Sequence, residues 1–190
     1  MQFTEDRNSQ LKNIIDSRGI TRLLHFSDSR NQENIETFGF ISRLVMHNSK
    51  WIENVHYHPN DNVRFENKLD YISLSITDPN LKLFYVFKQR KPGIRWIMYS
   101  IKPDIIFERD CYFYYTNAAW GGYKRTFPPF DDAVAQSPGA FGYIFSENLN
   151  TGQGQINRIF KRDDQPTCEQ AEILVKGSIP PEYIKNREWI

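Results

Sequence analysis

The chain has 190 residues and a formal net charge of +1, with 25% of its residues charged, so no overall basic field marks it for nucleic acid and a local basic groove is the most its charge offers. That length suits one domain, residues 1–190, able to bury roughly 70% of its unfolded surface. No apolar run nears the ~18 residues of a membrane span, and Glu5 and Asp6 lie where a secretion signal would be basic and apolar. A cytoplasmic protein with no membrane partner is expected. Cys111 and Cys168, the two cysteines, form no CxxC pair and no bridge framework, and reduced thiols are the simplest reading. Aromatic residues make up 15%, a supply that serves a core and also pockets that stack bases or nicotinamide.

Leu11, Ile14 and Ile15 share a face at helical spacing and Gly19 supplies a stop, which predicts a helix over 4–18. A strand over 20–26 follows, with Leu23 and Leu24 inward, and it ends in His25-Phe26-Ser27. Residues 31–38 read as a short helix with Ile35 and Phe38 inward, closed by Gly39; residues 40–43 read as a short strand. The stretch 50–70 is polar and irregular. Its His56 and His58 form an H-x-H pair, but no third ligand stands at a recognisable spacing, so no metal is expected and loop histidines are the simpler reading. Arg64 by itself is a solvated loop charge.

Residues 71–76 alternate with the period of a strand: Ile72, Leu74 and Ile76 face one way, Tyr71, Ser73 and Ser75 the other. A pair of serines on one face of a core-type strand leaves room for a ligand and offers it hydroxyls. A solvent-facing edge strand is the alternative. Asp78 suits an N-cap and Pro79 a first helical residue, ahead of a helix over 81–90 that carries Leu83, Phe84 and Phe87. A strand over 94–101 with Trp96 and Met98 inward comes next, then one helical turn over 103–108. An aromatic-rich strand over 111–116 runs into Asn117-Ala118-Ala119.

Between 120 and 167 the pattern dissolves. Gly121-Gly122, Pro128-Pro129, Ser137-Pro138-Gly139 and the glycines of 152–154 break regular elements, which predicts a long functional loop. It interleaves Lys124, Arg125, Arg158, Lys161 and Arg162 with Trp120, Tyr123, Phe127, Phe130, Phe141, Tyr143 and Phe160. Cations that track phosphate and rings that stack bases suit a single-stranded nucleic acid; a lid whose aromatics pack down as core is the equal alternative. The loop empties into Glu172, which opens the apolar run Ile173-Leu174-Val175 of a buried strand. A carboxylate at that mouth costs several kcal/mol unless it is paired or protonated, so Glu172 is either a structural ion-pair partner or catalytic. Beyond Gly177, residues 179–184 predict a turn and short helix, and 187–190 an edge strand.

Neither GxGxxG nor GxxxxGK occurs. A strand-end His25 and Ser27, two serines on one face, and a loop feeding Glu172 instead suit binding a dinucleotide and breaking its glycosidic bond. A carboxylate near the sugar stabilises an oxocarbenium-like charge and helps deprotonate the nucleophile, while an arginine holds the pyrophosphate.

Four blocks in order resemble the DarT family of DNA ADP-ribosyltransferase toxins across nearly the full length. His25-Phe26-Ser27, Asn31 and Gly39-Phe40-Ile41-Ser42 resemble its opening "HFTxxxNLxxIxxxGLLS", with Ser27 for Thr and Phe40-Ile41 for the leucine pair. Ile72-Ser73-Leu74-Ser75-Ile76, Pro79-Asn80 and Lys82-Leu83-Phe84 resemble "ISLSIxxPNxKMF", and Thr116-Asn117-Ala118-Ala119 resembles "TNAA". Gln170 to Val175, Ile179-Pro180-Pro181 and Tyr183-Ile184 resemble the close "QAEVLV…IPxxYI". The resemblance implies an α+β fold, the ADP-ribosyltransferase split β-sandwich with flanking helices. It implies Glu172 as the catalytic glutamate, with Gln170 in the loop that presents the target and Arg64 as an arginine that grips NAD and assists chemistry. His25, Ser27 and Asn31 would contact NAD, and the Tyr71, Ser73 and Ser75 face would line the nicotinamide pocket. The long loop, with Trp120, Tyr123, Lys124, Arg125 and Arg158, would bind single-stranded DNA. The middle blocks look more like the guanine-modifying branch than the thymine-modifying one. NAD would be a substrate, no metal would be needed, and the cognate antitoxin of this bacterial toxin would be an ADP-ribosyl hydrolase of macrodomain or NADAR type. A transferase of the same fold acting on RNA or protein, and a catalytically silent nucleic-acid-binding module, are the alternatives.

Overall fold

The structure is a computed structural model that describes residues 2–48, 57–60, 68–125, 130–151 and 154–190. Helix α1 (Gln2–Arg18) buries Leu11 and Ile15 along one stripe, as the spacing predicts, and ends at Gly19 with φ +66°. Strand β1 (Leu23–Asp28) carries Leu23 into a large core and Leu24 and Phe26 into a smaller one on the opposite face. The sheet therefore separates two apolar layers, and both leucines are inward. A single 3-10 turn (Ser29–Asn31) leads into α2 (Gln32–Phe38). Ile35 is buried there, but Phe38 is 36% exposed, against the expectation that it points inward. Gly39 at φ +75° turns the chain into β2 (Phe40–Ile41), followed by α3 (Arg43–Asn48).

Strand β3 (Tyr71–Ile76), α4 (Leu81–Arg90), β4 (Trp96–Ile101), α5 (Ile105–Glu108) and β5 (Cys111–Tyr114) follow. Asp78 does not cap α4. Asn80 does, its side chain accepting from Leu83 N at 3.0 Å, and Pro79 lies outside the helix. Phe84 and Phe87 of α4 close over Phe26, Trp96 and Met98 to form the smaller core.

The segment expected to lack structure does not. After a 3-10 turn (Gly121–Arg125) it builds α6 (Asp132–Ala135), α7 (Pro138–Tyr143) and a hairpin of β6 (Asn148–Thr151) and β7 (Gly154–Asn157). Ser137-Pro138 is a helix start rather than a break: Ser137 Oγ accepts from Ala140 N at 3.1 Å and Pro138 needs no partner for a missing N–H. Phe141, Ile144 and Phe145 are buried in the large core, so much of this segment's apolar content packs as core.

Strand β8 (Glu172–Lys176), β9 (Ser178–Ile179), a 3-10 turn (Pro181–Tyr183) and β10 (Ile184–Trp189) complete the chain. Among the described residues the main sheet has six strands in the order β10-β4-β1-β3-β8-β5, with each neighbouring pair antiparallel. β10 forms an edge, as predicted. β3 is central, which overturns the edge-strand alternative for its serines. This is an α+β domain. Its sheet is nearly split: β1 pairs with β4 from Leu23 to Asp28, but with β3 only at Leu23 and Leu24. Beyond Leu24 the two halves part.

Candidate active site

A cavity of ≈ 650 Å³ occupies that parting. Alternation brings Tyr71, Ser73 and Ser75 of β3 to it, and His25, Ser27 and Asn31 reach it from β1 and the turn after it. Glu172, the first residue of β8, also borders it. Seven sequence-predicted site residues, separated by up to 147 positions along the chain, thus surround one space.

Glu172 is 7% exposed. Its Oε1 accepts from Asn117 Nδ2 at 3.2 Å and its Oε2 from Ala118 N at 3.4 Å. Asn117 Oδ1 accepts in turn from Ala119 N at 2.9 Å, which fixes the amide with its NH₂ toward the acid. The turn after β5 is therefore a carboxylate cradle. Asn117 and Ala118 were not among the predicted site residues, although their block was noticed. An Asn two residues before a backbone N–H, at a strand end, was the available signal.

His25 Nδ1 lies 2.8 Å from Ser73 O, and a carbonyl only accepts, so the proton sits on Nδ1. This contact spans the gap where the β1–β3 ladder has stopped. Ser27 and Asn31 are buried, and Asn31 Nδ2 donates to Ser27 Oγ at 3.1 Å. Ser75 Oγ accepts from Asn80 N at 3.2 Å, tying β3 to the start of α4. Burial, and then a hydrogen bond with Tyr112, push the Tyr71 hydroxyl well above its ordinary pKa, so it stays protonated. Arg43, Arg90 and Lys91 bring positive charge to its lining, and no local motif in the chain singles them out.

Asp28, fully buried at the end of β1, is gripped by Arg30 through Nε at 3.0 Å and Nη2 at 2.6 Å, with Lys91 Nζ at 3.8 Å. Burial pushes its carboxyl upward, but Arg30 and Lys91 outweigh burial and hold it below its ordinary value.

The residues expected to meet DNA divide. Arg158 is buried, and its guanidinium donates to Gln165 O at 2.6 Å, Arg162 O at 2.6 Å and Asp163 O at 3.0 Å. It holds its own loop together and does not face a ligand. Tyr123 is likewise buried, its hydroxyl donating to Thr116 O at 3.2 Å and accepting from Thr116 N at 2.9 Å, which removes it from stacking. Trp120 is half-buried beside Tyr115 and Tyr123. Lys124 and Arg125 belong to the 3-10 turn, and Gln170 is half-buried in the turn before β8. Ile159 and Phe160 are 73% and 97% exposed at the tip that Arg158 organises. Arg64 and His56 lie outside the described residues. Among the described residues no group of three or more His, Cys, Asp or Glu is placed to hold a metal, and no helix is long and apolar enough to cross a membrane.

Residues 24–186 match the family model described as "DarT: ssDNA thymidine ADP-ribosyltransferase, DarT", and the chain belongs to the DarT family. The solved structure "Thermosipho africanus DarTG in complex with ADP-ribose" is similar at a TM-score of 0.49 and 12% identity, over 88% of this chain and 43% of that one. The chain thus spans less than half the length of that relative. Comparison with curated proteins gives no match.

Proposed function

We propose that the chain moves ADP-ribose from NAD onto a base of single-stranded DNA, guanine in preference to thymine, with Glu172 as its catalytic acid–base group. The observation that carries this reading is a buried carboxylate, held by Asn117 and Ala118, at the mouth of a cavity walled by His25, Ser73 and Ser75. The cavity suits the dinucleotide: its size lies in the range of ligand sites, its walls offer hydroxyls, and Arg43, Arg90 and Lys91 supply charge for a pyrophosphate.

NAD, when bound, supplies a glycosidic bond whose breaking releases nicotinamide with the bonding electron pair and leaves positive charge on the ribose. Glu172 stabilises that charge and accepts the proton of the attacking base nitrogen. His25 Nδ1–H, fixed on Ser73 O, keeps the ring in one orientation against the bound nucleotide, and Tyr71, Ser73 and Ser75 face the nicotinamide. Arg64 grips the pyrophosphate in this scheme on the strength of the resemblance. Trp120, Lys124, Arg125 and Gln170 are assigned to the DNA strand, with Tyr123 and Arg158 supporting the segment that carries them.

The guanine preference rests on the Ile72–Ile76, Pro79-Asn80 and Thr116–Ala119 blocks, whereas the family description names thymidine. Incubating oligonucleotides of varied sequence with NAD and reading adducts by mass spectrometry tests both parts. An ADP-ribose adduct on G-containing strands, absent with Glu172→Gln, is expected. Adducts on thymine alone would overturn the base assignment, and labelling of RNA or protein with none on DNA would overturn the acceptor. We further propose that the chain acts as a toxin in a bacterial cytoplasm, beside an antitoxin that removes ADP-ribose through a macrodomain or NADAR-type hydrolase. Co-expression with each hydrolase type should restore growth in one case.

A further inference from the structure

Strand β1 has one complete neighbour, β4, and one partial neighbour, β3, which leaves it after Leu24. The main chain from His25 onward on that side needs other partners, because buried N–H and C=O groups are costly to leave unpaired. Residues 57–60 supply them. Asn60 Nδ2 donates to Phe26 O at 2.7 Å, and Asn60 Oδ1 accepts from Asp28 N at 3.3 Å. The same segment is gripped from the body in the opposite sense. Asn31 Oδ1 accepts from His58 N at 2.8 Å, and Asn31 Nδ2 donates to His58 O at 2.8 Å.

Each carboxamide presents one donor and one acceptor to a short stretch of backbone, the pattern that a paired strand residue presents. Lys91 Nζ adds a bond to Pro59 O. Tyr57 and Asn60 border the cavity, so the segment held this way is one of its walls. Asn31 is 0% exposed, and its NH₂ is committed to Ser27 Oγ and His58 O. No N–H of that amide is left over for a ligand.

We infer that Asn31 and Asn60 are positioning residues: two reciprocal carboxamide forks that lock residues 57–60 against β1 where the β3 ladder has stopped, and so preform the cavity wall. Asn31 acts through His58 and not by touching the dinucleotide. The kinetic consequence rests on the cavity being the NAD site; the structural one does not.

Asn60→Ala removes the outer fork at a half-buried position, and Asn31→Ala removes the inner one. Should Asn31→Ala fail to fold, Asn60→Ala carries the test, since it leaves the bond partner of His58 N in place. Hydrogen exchange of the His58 amide, read without NAD, should speed up about tenfold in Asn60→Ala while amides of β4 stay protected. The KM for NAD should rise about tenfold with kcat within about threefold, and the double variant should be no worse than the worse single one, because both forks hold one segment. Unchanged His58 exchange in Asn60→Ala overturns the inference. So do KM effects that multiply, and so does a fall in kcat at unchanged KM. Faster His58 exchange in a protein that never consumes NAD supports the forks while sinking the proposed function, which keeps the two failures apart.

Discussion

Two donors meet the buried Glu172 carboxylate: the amide of Asn117 and the N–H of Ala118. Removing the acid and removing its holder should differ. Glu172→Gln is isosteric and should preserve NAD binding while lowering transfer by roughly 10²–10⁴-fold, the range for a lost acid–base group. Asn117→Ala leaves the carboxylate present with one fewer donor, and a fall of about tenfold in kcat is expected. Single-turnover labelling of an oligonucleotide, with NAD binding measured separately, checks both. A direct contact and a positioning contact are told apart by the size of the drop.

Arg158 is the residue where chemistry read from sequence and chemistry in the fold part furthest. A basic residue among aromatics reads as phosphate-facing, and nothing local in the chain says that three carbonyls of residues 162, 163 and 165 will surround its fork. Arg158→Lys keeps the charge but not the planar fork, so it should lower stability by about 2 kcal/mol and shift the melting temperature downward. Its effect on the salt dependence of DNA binding should be negligible, because a buried guanidinium releases no counterions.

Among the elements, the strands were the most legible. The alternation of residues 71–76 gave β3 its bounds and its two faces, because a side-chain period of two survives any tertiary context. Caps were less so. Asp78 and Asn80 flank Pro79, and either could cap α4 by chemistry; the direction in which the chain leaves β3 decides, and that is a tertiary fact. Ser137-Pro138-Gly139 reads equally as a break or as a helix start, since the same residues serve both. Its cap is testable: Ser137→Ala should cost about 1 kcal/mol and loosen α7, which packs on α1 and β5. Gly39 is stricter. At φ +75° a Cβ there would stand 2.0 Å from Ile179 O, so Gly39→Ala should force β2 from β9 and destabilise by on the order of 2–3 kcal/mol in denaturant titration.

At the scale of the whole molecule, acid stability is set partly by Asp28. Its folded pKa lies below the ordinary 3.8, so its contribution is present above pH 4 and is lost as pH falls through the folded value. The melting temperatures of wild type and Asp28→Asn should therefore differ most near neutrality and converge once pH falls below the folded value. An unchanged gap across that window would show that the Arg30 pair contributes nothing. What the sequence could not convey at this scale was where the cavity opens. His25 and the serine face were visible, but the two-pair junction between β1 and β3, and residues 57–60 lying against its open side, follow from how long two strands stay together. Pairing length is written in no single residue.

The opening between β1 and β3 belongs to the main chain, and this decides which substitutions can close it. A pocket carved by small side chains can be closed by one larger residue. A pocket made by two strands ceasing to pair cannot, short of rebuilding the sheet. Replacements along its walls therefore retune which molecule sits there and how it lies, while the opening itself comes with the topology.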